Sequence, residues 1–516
     1  MGVEVLIFTD CTSKTFARSA GAYRIATELR LHGYTVQVVD HFLNLELKKV
    51  LTLIDKFVDS STLFVGFSST FMNLSNIYFD KPEENRLSSI SDTIKMTELS
   101  GVRGFSEGVP ISDDEMLTIK DKILSKSSKA KLVLGGAKAD YFSQPHFDAF
   151  ILGYADNSVI EYVRYIKGQN PFLQFTKLPD GRMVIDNDVD ATGYDFQHST
   201  IEYHESDVIF PGEVLPIEVA RGCIFKCKFC AFRLAGKKKL DYVKDKDVLY
   251  REFMSNYEKF GVTKYIFSDD TYNDSVQKLE QFAEVFAKLP FKLEFAAYLR
   301  HDLITRYPEM ADLLKESGLK TAIFGIETLN HTAGKLIGKG LDPDRTKNTL
   351  KWLREEKEWA GNILMSSGFI VGLPTETKDT VSAWAEELLD YSYPLDSFIL
   401  TPLFITPGAK RISKSEFELD YKKYGYRFDR TKSSGWINDY WTFDDATSLA
   451  NEIIQYAYQS GRITSYGFSA MMMQNYGLTW EQLHRSSVYS VENHILQKTF
   501  LLADDYYNRL IKYEGK

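Results

Sequence analysis

A chain of 516 residues is too long for one ordinary hydrophobic core, so two or three domains are expected. Its 44% hydrophobic and 26% charged residues exclude intrinsic disorder. The net charge of −9 argues against a broadly basic nucleic-acid-binding face, and no apolar run is long enough to span a bilayer. Residues 3–8 read as an apolar strand, followed by a polar loop and a helix over 20–31 that Gly33 stops. Strands are expected at 35–39, 62–66, 131–136 and 150–153, and helices at 113–126 and 156–167. This alternation predicts an α/β, doubly wound (Rossmann-like) N-terminal domain over 1–170. Ligands in such sheets sit over the carboxyl ends of the strands, near Asp10–Ser19, Ser68–Phe71 and Gly135–Ala137. Residues 71–112 form a polar insertion, read as a lid, a partner-binding segment or a decoration.

Proline, glycine and acidic residues mark 171–216 as a linker. From 217 the alternation resumes, with strands at 217–220, 264–268, 293–298, 320–326, 364–371 and 396–401. The clearest helices are 245–260, 275–288, 306–317, 344–357 and 378–391. Six such units over 217–410 fit a partial (β/α)6 TIM-like barrel, whose catalytic groups gather at the carboxyl ends of its strands. A helical, aromatic C-terminal tail occupies 411–516. Trp436, Tyr440, Trp441 and Phe443 either close the barrel mouth or pack the tail onto the barrel. Met471 to Met473 read as core filling.

The chemistry-bearing feature is Arg221-Gly-Cys223-Ile-Phe-Lys-Cys227-Lys-Phe-Cys230, which holds three of the four cysteines. Thiolates this close suit one metal centre, and three ligands on a [4Fe-4S] cube leave one iron open. A structural zinc site would need a fourth ligand nearby. Cys11 is left over and reads as a small packed residue.

This Cys-x3-Cys-x2-Cys loop after a strand-like run resembles the cluster loop of radical S-adenosylmethionine (SAM) enzymes. The resemblance implies a [4Fe-4S] cluster on Cys223, Cys227 and Cys230 whose open iron is chelated by SAM. Electron transfer would then cleave SAM to methionine and a 5′-deoxyadenosyl radical. It further implies that Phe229 lies near the adenine. Gly325 to Thr328, in Phe-Gly-Ile-Glu327-Thr328, would meet the ribose and methionyl part, and Gly368 and Gly372 would lie along the adenine. Arg300 ends the third strand, where relatives place an arginine near the SAM carboxylate, a group that a guanidinium fork fits. Asp269-Asp270 ends the second strand, as in relatives with an acidic pair there. Gly334 to Gly340 fails the spacing of a phosphate loop and reads as a turn.

The first domain resembles the cobalamin-binding-type domain that precedes many radical SAM cores, through Gly21 to Ala26, Asp40, Val65 to Ser68 and Gly135-Gly136. Cobalamin is thus a further candidate cofactor, with Ser68, Gly135 and Gly136 giving close backbone approach. Two departures count against it: the Asp-x-His-x-x-Gly signature is absent, and Tyr154-Ala-Asp156-Asn157 stands where relatives carry Gly-Glu-Gly-Glu.

The expectation is a radical SAM enzyme acting on an unspecified small-molecule or peptide-like substrate, with cobalamin-dependent methyl transfer to carbon as one outcome. The alternatives are a cobalamin-free radical SAM oxidoreductase or isomerase, and a non-catalytic iron-sulfur scaffold. The resemblance also implies a reductant such as flavodoxin or ferredoxin. Met1 to Phe8 lacks the basic start and apolar core of a signal peptide, and clustered cysteines suit a reducing compartment, so the expected location is cytoplasmic.

Overall fold

The computed structural model describes residues 2–11, 16–68, 113–136, 145–187, 194–232, 241–340, 342–405, 414–429, 431–462, 467–485 and 488–514. The insertion at 71–112, Ser69, Ala137 and the basic run Lys237 to Lys239 lie outside these residues.

The first sheet contains β1 (Val5–Phe8), β2 (Val36–Val39), β3 (Phe64–Ser68), β4 (Lys131–Gly136), β5 (Ala149–Leu152), β6 (Thr176–Lys177) and β7 (Met183–Asp186). Its order is β2-β1-β3-β4-β5-β7-β6, parallel except at the β6 edge. The apolar residues of β1 to β5 are buried on both faces, as a parallel sheet sandwiched by helices requires. Helices α1 (Ala20–Leu31) and α4 (Ser158–Ile166) join one core; α2 (Leu47–Phe57) and α3 (Asp113–Lys126) join the other. In α1 the buried Ala22, Tyr23, Ala26 and Leu29 make a stripe at helical spacing. Strand order reverses between β2-β1 and β3, and in such sheets ligands bind beyond the carboxyl ends of the strands at this point. Part of the expected linker is sheet: Met183–Asp186 pairs in parallel with β5, and Thr176–Lys177 adds an antiparallel edge. A strand of four residues between turn-forming prolines and glycines carries too little periodicity to stand out.

The second sheet is wholly parallel, ordered β13-β12-β11-β10-β9-β8. Its strands are β8 (Leu215–Glu218), β9 (Lys264–Ser268), β10 (Glu294–Leu299), β11 (Leu319–Glu327), β12 (Leu364–Val371) and β13 (Ser397–Pro402). β8 and β13 do not pair, so the barrel is open. Helices α5 (Lys246–Phe260) and α6 (Val276–Phe286) follow β8 and β9. Asp245 caps the first of α5, accepting from Asp247 N and Val248 N, and Gly261 ends it in the left-handed region. The helix expected over 306–317 is α8 (Glu309–Glu316), and a further short helix, α7 (His301–Arg306), precedes it across Pro308. The first barrel strand runs two residues earlier than expected, since Arg221 and the residues around it already belong to the cysteine loop.

Helices α9 (His331–Ile337), α10 (Pro343–Glu355) and α11 (Lys378–Leu389) complete the alternation. The tail then does three things. Helix α12 (Phe443–Gln459) packs beside β12, β13 and α11. Helix α13 (Gly467–Met472) lies against β9 to β12, with Met471 and Met472 packed on Ile266 and Ala296. Helix α14 (Val488–Lys512) returns to the first sheet, where Tyr506 is fully buried and its hydroxyl accepts from Asp40 N at 3.0 Å. Lys56 Nζ donates to the carbonyls of Leu510, Ile511 and Tyr513, closing the C-terminus of α14 where its unpaired oxygens gather. No described helix is long and apolar enough to cross a membrane.

Candidate functional site

The cysteine loop leaves the carboxyl end of β8. Gly222, at φ +90, makes the turn that a side chain would strain. Cys223 N donates to Phe232 O at 2.9 Å, and Cys230 N to Cys227 O at 3.1 Å. All three cysteines are free. Cys223 Sγ lies 3.2 Å from Thr271 Oγ1, Phe232 N donates to Cys230 Sγ at 3.4 Å, and Arg300 Nη1 is 3.5 Å from Cys227 Sγ. Burial raises the Cys223 thiol and pushes that of Cys230 up to about 12, so iron binding must displace their protons. Among the described residues no three His, Cys, Asp or Glu side chains converge on one metal ion. The loop offers three thiols and a cube takes its thiolates on separate irons, so the donor set fits a cluster.

The end of β9 braces this loop from below. Lys278 is fully buried, with Nζ 2.7 Å from Asp269 and 3.2 Å from Asp274, and it donates to Thr271 O at 3.0 Å. Asp269 is therefore committed to an internal ion pair. Asp270 accepts from the Gly222 backbone, and burial beside Asp269 pushes its carboxyl up to about 7.

The SAM candidates lie at the next strand ends. Arg300 is bound to Asp302 through Nε at 3.0 Å and Nη2 at 2.7 Å, and its guanidinium lies 4.1 Å over the Phe225 ring. Its fork thus faces Asp302 and Cys227. Glu327 sits at a register shift between β11 and β12, with φ +71, where a non-glycine residue is strained. Burial raises its carboxyl, opposed by Lys339, whose Nζ is 3.5 Å away. Gly325 is adjacent: a Cβ there would lie 2.7 Å from Lys339 Nζ. Gly368 faces open space, with nothing within 4 Å of a built Cβ. Phe229 is half-buried and packs on the barrel core.

Two expected contacts are turned inward instead. Thr328 Oγ1 donates to Glu376 at 2.6 Å and accepts from Asn330 N at 2.9 Å. Gly372, at φ +91, leaves room for Trp436: a Cβ would lie 2.4 Å from that ring, and Tyr426 donates to its carbonyl at 2.8 Å. Trp441 Nε1 donates to Glu376 O at 2.8 Å. The tail aromatics Trp436 and Trp441 therefore pack the tail onto the turn after β12, while Tyr440 is exposed.

Glu376 itself is buried, accepting also from Trp384 Nε1 at 3.1 Å, and its Oε2 has no hydrogen-bond partner. Burial pushes its carboxyl up to about 7 against those two hydrogen bonds. A folded-state value above the ordinary 4.5 means a contribution to stability that is full below about 4.5 and lost as pH rises through about 7. Glu376→Gln keeps the acceptor and removes the ionisation. At pH 8 the variant should be more stable than the wild type by about 3 kcal/mol, with the gap closing towards pH 5. Parallel melting curves with a pH-independent gap would refute this.

In the first sheet, Ser68 pairs in register with Gly135 at the ends of β3 and β4, and Gly136 holds φ +115. These small residues end the two strands next to the switch point; the loops beyond them fall outside the described residues. His41, fully buried, is at the end of β2, stacked on Phe16 with ring centroids 3.9 Å apart. It is not at the β1 loop, where the missing signature would have placed an axial histidine.

The two sheets meet through residues that motif reading passed over. Asp156, two residues beyond Tyr154, bonds Arg24 Nε of α1 at 3.1 Å and Arg221 Nη1 at 2.8 Å. Arg221 also binds Glu218 at 2.8 Å and lies 4.4 Å over the Tyr154 ring. The segment that departs from Gly-Glu-Gly-Glu thus keeps a carboxylate, and this carboxylate grips the residue two before Cys223. The contact joins the loop after β5 of the first sheet to the loop after β8 of the second.

Residues 217–388 match the Radical SAM superfamily model. This segment is a radical SAM domain. Enzymes of this family use a [4Fe-4S] cluster and SAM, which agrees with the donor set on the β8 loop. Among curated proteins it is 24% identical over 317 residues to the anaerobic magnesium-protoporphyrin IX monomethyl ester cyclase of Cereibacter sphaeroides, covering 57% of this chain and 50% of that one. The chain therefore spans about half the length of that relative. Its fold is similar to the radical SAM methyltransferase TsrM of Kitasatospora setae, solved with cobalamin and a [4Fe-4S] cluster, at TM-score 0.63 and 13% identity over 97% of this chain and 100% of that one. It is also similar to the cobalamin-dependent SAM radical enzyme OxsB, at TM-score 0.59 and 11% identity over 99% and 80%.

Proposed function

We propose that the chain is a cytoplasmic, cobalamin-dependent radical SAM enzyme that transfers a methyl group to a carbon of a small-molecule or peptide-like substrate. The observation that supports this is the Asp156–Arg221 contact, which joins the loop after β5 of the first sheet to the residue two before Cys223. A cofactor at Ser68, Gly135 and Gly136 and SAM at the strand ends of the barrel would then address one space between them. Cys223, Cys227 and Cys230 would hold the cluster; Glu327, Gly325 and Gly368 would border SAM, with Phe229 near the adenine. When bound, cluster and SAM supply the bond cleavage. The residues of the chain orient the bound groups and exclude water: the buried strand ends and the half-buried Phe225 and Phe229 do both. An external reductant such as a flavodoxin or ferredoxin would feed the cluster. In this reading residues 1–170 form the cofactor domain, 171–216 the connection, 217–410 the radical SAM core and 411–516 the tail.

The test has two arms. Anaerobic protein carrying its cluster, reduced with dithionite, should release methionine and 5′-deoxyadenosine or a methylation product from SAM; a non-catalytic scaffold would release none. After incubation with hydroxocobalamin and gel filtration, cobalt should stay on the protein at near-stoichiometric level. Cobalt eluting wholly free would transfer the assignment to a cobalamin-free oxidoreductase or isomerase.

A further inference from the structure

We propose that residues 415–428 of the tail, with residues 226–228 of the cysteine loop and the end of α9, form the docking surface for an acidic, flavin-carrying one-electron carrier protein. The proposal rests on the cluster reading above. It adds the place where the electron enters and a task for the tail.

Three separate segments are bonded into one face. Lys228 N donates to Ile337 O at 3.1 Å, which seats the end of α9 on the cysteine loop, and Phe417 N donates to Lys228 O at 3.0 Å, which seats the tail there too. Phe417 is the anchor: it is fully buried, with ring centroids 4.7 Å from Tyr424 and 5.9 Å from Tyr426. Ser415 closes the helical turn Glu416–Leu419, its N donating to Glu418 at 2.9 Å and its hydroxyl accepting from Glu418 N at 3.1 Å. Gly425, at φ +80, ends the next turn, Tyr421–Tyr424. Backbone and core contacts therefore hold this face, and its charges are free to meet a partner.

Those charges decide what it fits. The chain carries −9 overall, yet Lys226, Lys228, Lys335, Lys422 and Lys423 gather on these three segments, all exposed except the half-buried Lys228. Glu416 is shared between two of them, 4.0 Å from Lys228 Nζ and 3.7 Å from Lys423 Nζ, and Asp420 is exposed. Glu418 is buried under Ser415. Among the described residues Lys226, Lys335 and Lys422 form no ion pair. Leu419 and Phe428 are exposed beside them, Phe428 against the Tyr421 ring that Lys422 overlies. A nucleic acid or a membrane plane would also meet the acidic remainder of the chain. A small acidic protein meets the patch alone, because exposed charges beyond about 8 Å are screened at physiological salt.

Position decides what the partner carries. Lys226 and Lys228 flank Cys227, so a protein resting on them lies against a cluster ligand, whereas the start of the loop, at Arg221, is taken by Asp156. The carrier's anionic flavin hydroquinone would lose one electron to become the neutral semiquinone and the cluster would gain it, with no bond made or broken. The apolar spot at Leu419 and Phe428 suits the apolar edge of a flavin ring. Redox encounters bury little surface, below about 1,200 Å² in total, so a face of three short segments suffices.

The test measures equilibrium binding of a purified bacterial flavodoxin to the anaerobic, cluster-loaded full chain at low and high salt, with a [2Fe-2S] ferredoxin of similar net charge for comparison. The variants are Lys422→Glu/Lys423→Glu, Leu419→Ser, and Lys347→Glu/Lys351→Glu, which makes the same charge change on α10. Wild type should bind flavodoxin more tightly than ferredoxin, and less tightly as salt rises. The tail reversal should weaken flavodoxin binding about tenfold or more, and the α10 reversal by less than about threefold. Leu419→Ser should weaken it severalfold with an unchanged salt dependence. Cluster reduction by flavodoxin hydroquinone, followed by EPR, should slow in parallel, while dithionite reduces every protein alike and iron content stays constant. No binding by wild type, tighter ferredoxin binding, or equal weakening by the tail and α10 reversals overturns the proposal. A wild type that dithionite reduces but that cleaves no SAM overturns the functional reading instead, and the binding result is independent of it.

Discussion

Replacing Cys223, Cys227 and Cys230 together by alanine is expected to abolish iron retention and the charge-transfer absorption of the reconstituted protein, whereas Cys11→Ala retains both. The wild type should hold about four irons and four sulfides per chain. The contrast follows from position. The three thiols share one loop whose backbone is fixed by Gly222, by the Cys223–Phe232 hydrogen bond and by the turn before Lys339. Cys11 is buried at the end of β1 against Ala17, Val214, Met471 and Met472, with a thiol that burial raises far above its ordinary value. A thiol held protonated in apolar packing is a poor iron ligand. Because the Cys223 and Cys230 thiols are also raised, cluster assembly should be faster at mildly alkaline pH than at pH 6. Iron and sulfide analysis with absorption spectroscopy decides the matter, and full iron in the triple variant would overturn the assignment.

What could be read in advance followed the periodicity. The β9 and β12 strands and the helix α3 have the bounds that their apolar runs indicate, because buried parallel strands and amphipathic helices write their period directly into the chain. Short elements escaped: β7 is four residues long, and its place beside β5 depends on pairing partners 34 residues away. The site divides in the same way. Cysteine spacing is local and therefore legible, whereas the charge on Lys339 acquires meaning only when a helix return brings it to Glu327. Arg300 shows the converse. Its strand-end position was legible, but its two-point bond to Asp302, two residues along, was not, since a neighbouring carboxylate in sequence becomes a partner only through the turn into α7. Thr328 and Gly372 sit where motif reading put them, yet their side-chain surroundings are set by Glu376 and by the aromatic tail, which closes on them from about sixty residues further on.

Asp156→Ala is expected to destabilise the chain by about 3–5 kcal/mol, the scale on which removing one member of a buried ion pair leaves the other charge uncompensated. Here two arginines share the lost carboxylate. Arg24 is buried in α1 and keeps the Tyr194 hydroxyl at 2.8 Å and Glu28. Arg221 keeps Glu218 and the stacked Tyr154 ring. Burial alone would raise the Asp156 carboxyl; Arg221 and Arg24 hold it below the usual range, so it is ionised when both are in place. Asp156→Asn preserves shape and one acceptor and should lose less. The decisive comparison is a double-mutant cycle with Arg221→Met, read by urea denaturation of the cluster-loaded protein. If the two residues act as one contact, the double variant costs less than the sum of the single ones by at least 1 kcal/mol, the range in which directly bonded groups couple. Strict additivity would mean that the first sheet and the cysteine loop are held independently, and the observation on which the two-cofactor reading rests would lose its force. Coupling, by contrast, ties the hold on the loop before Cys223 to the same carboxylate that anchors α1 of the neighbouring sheet.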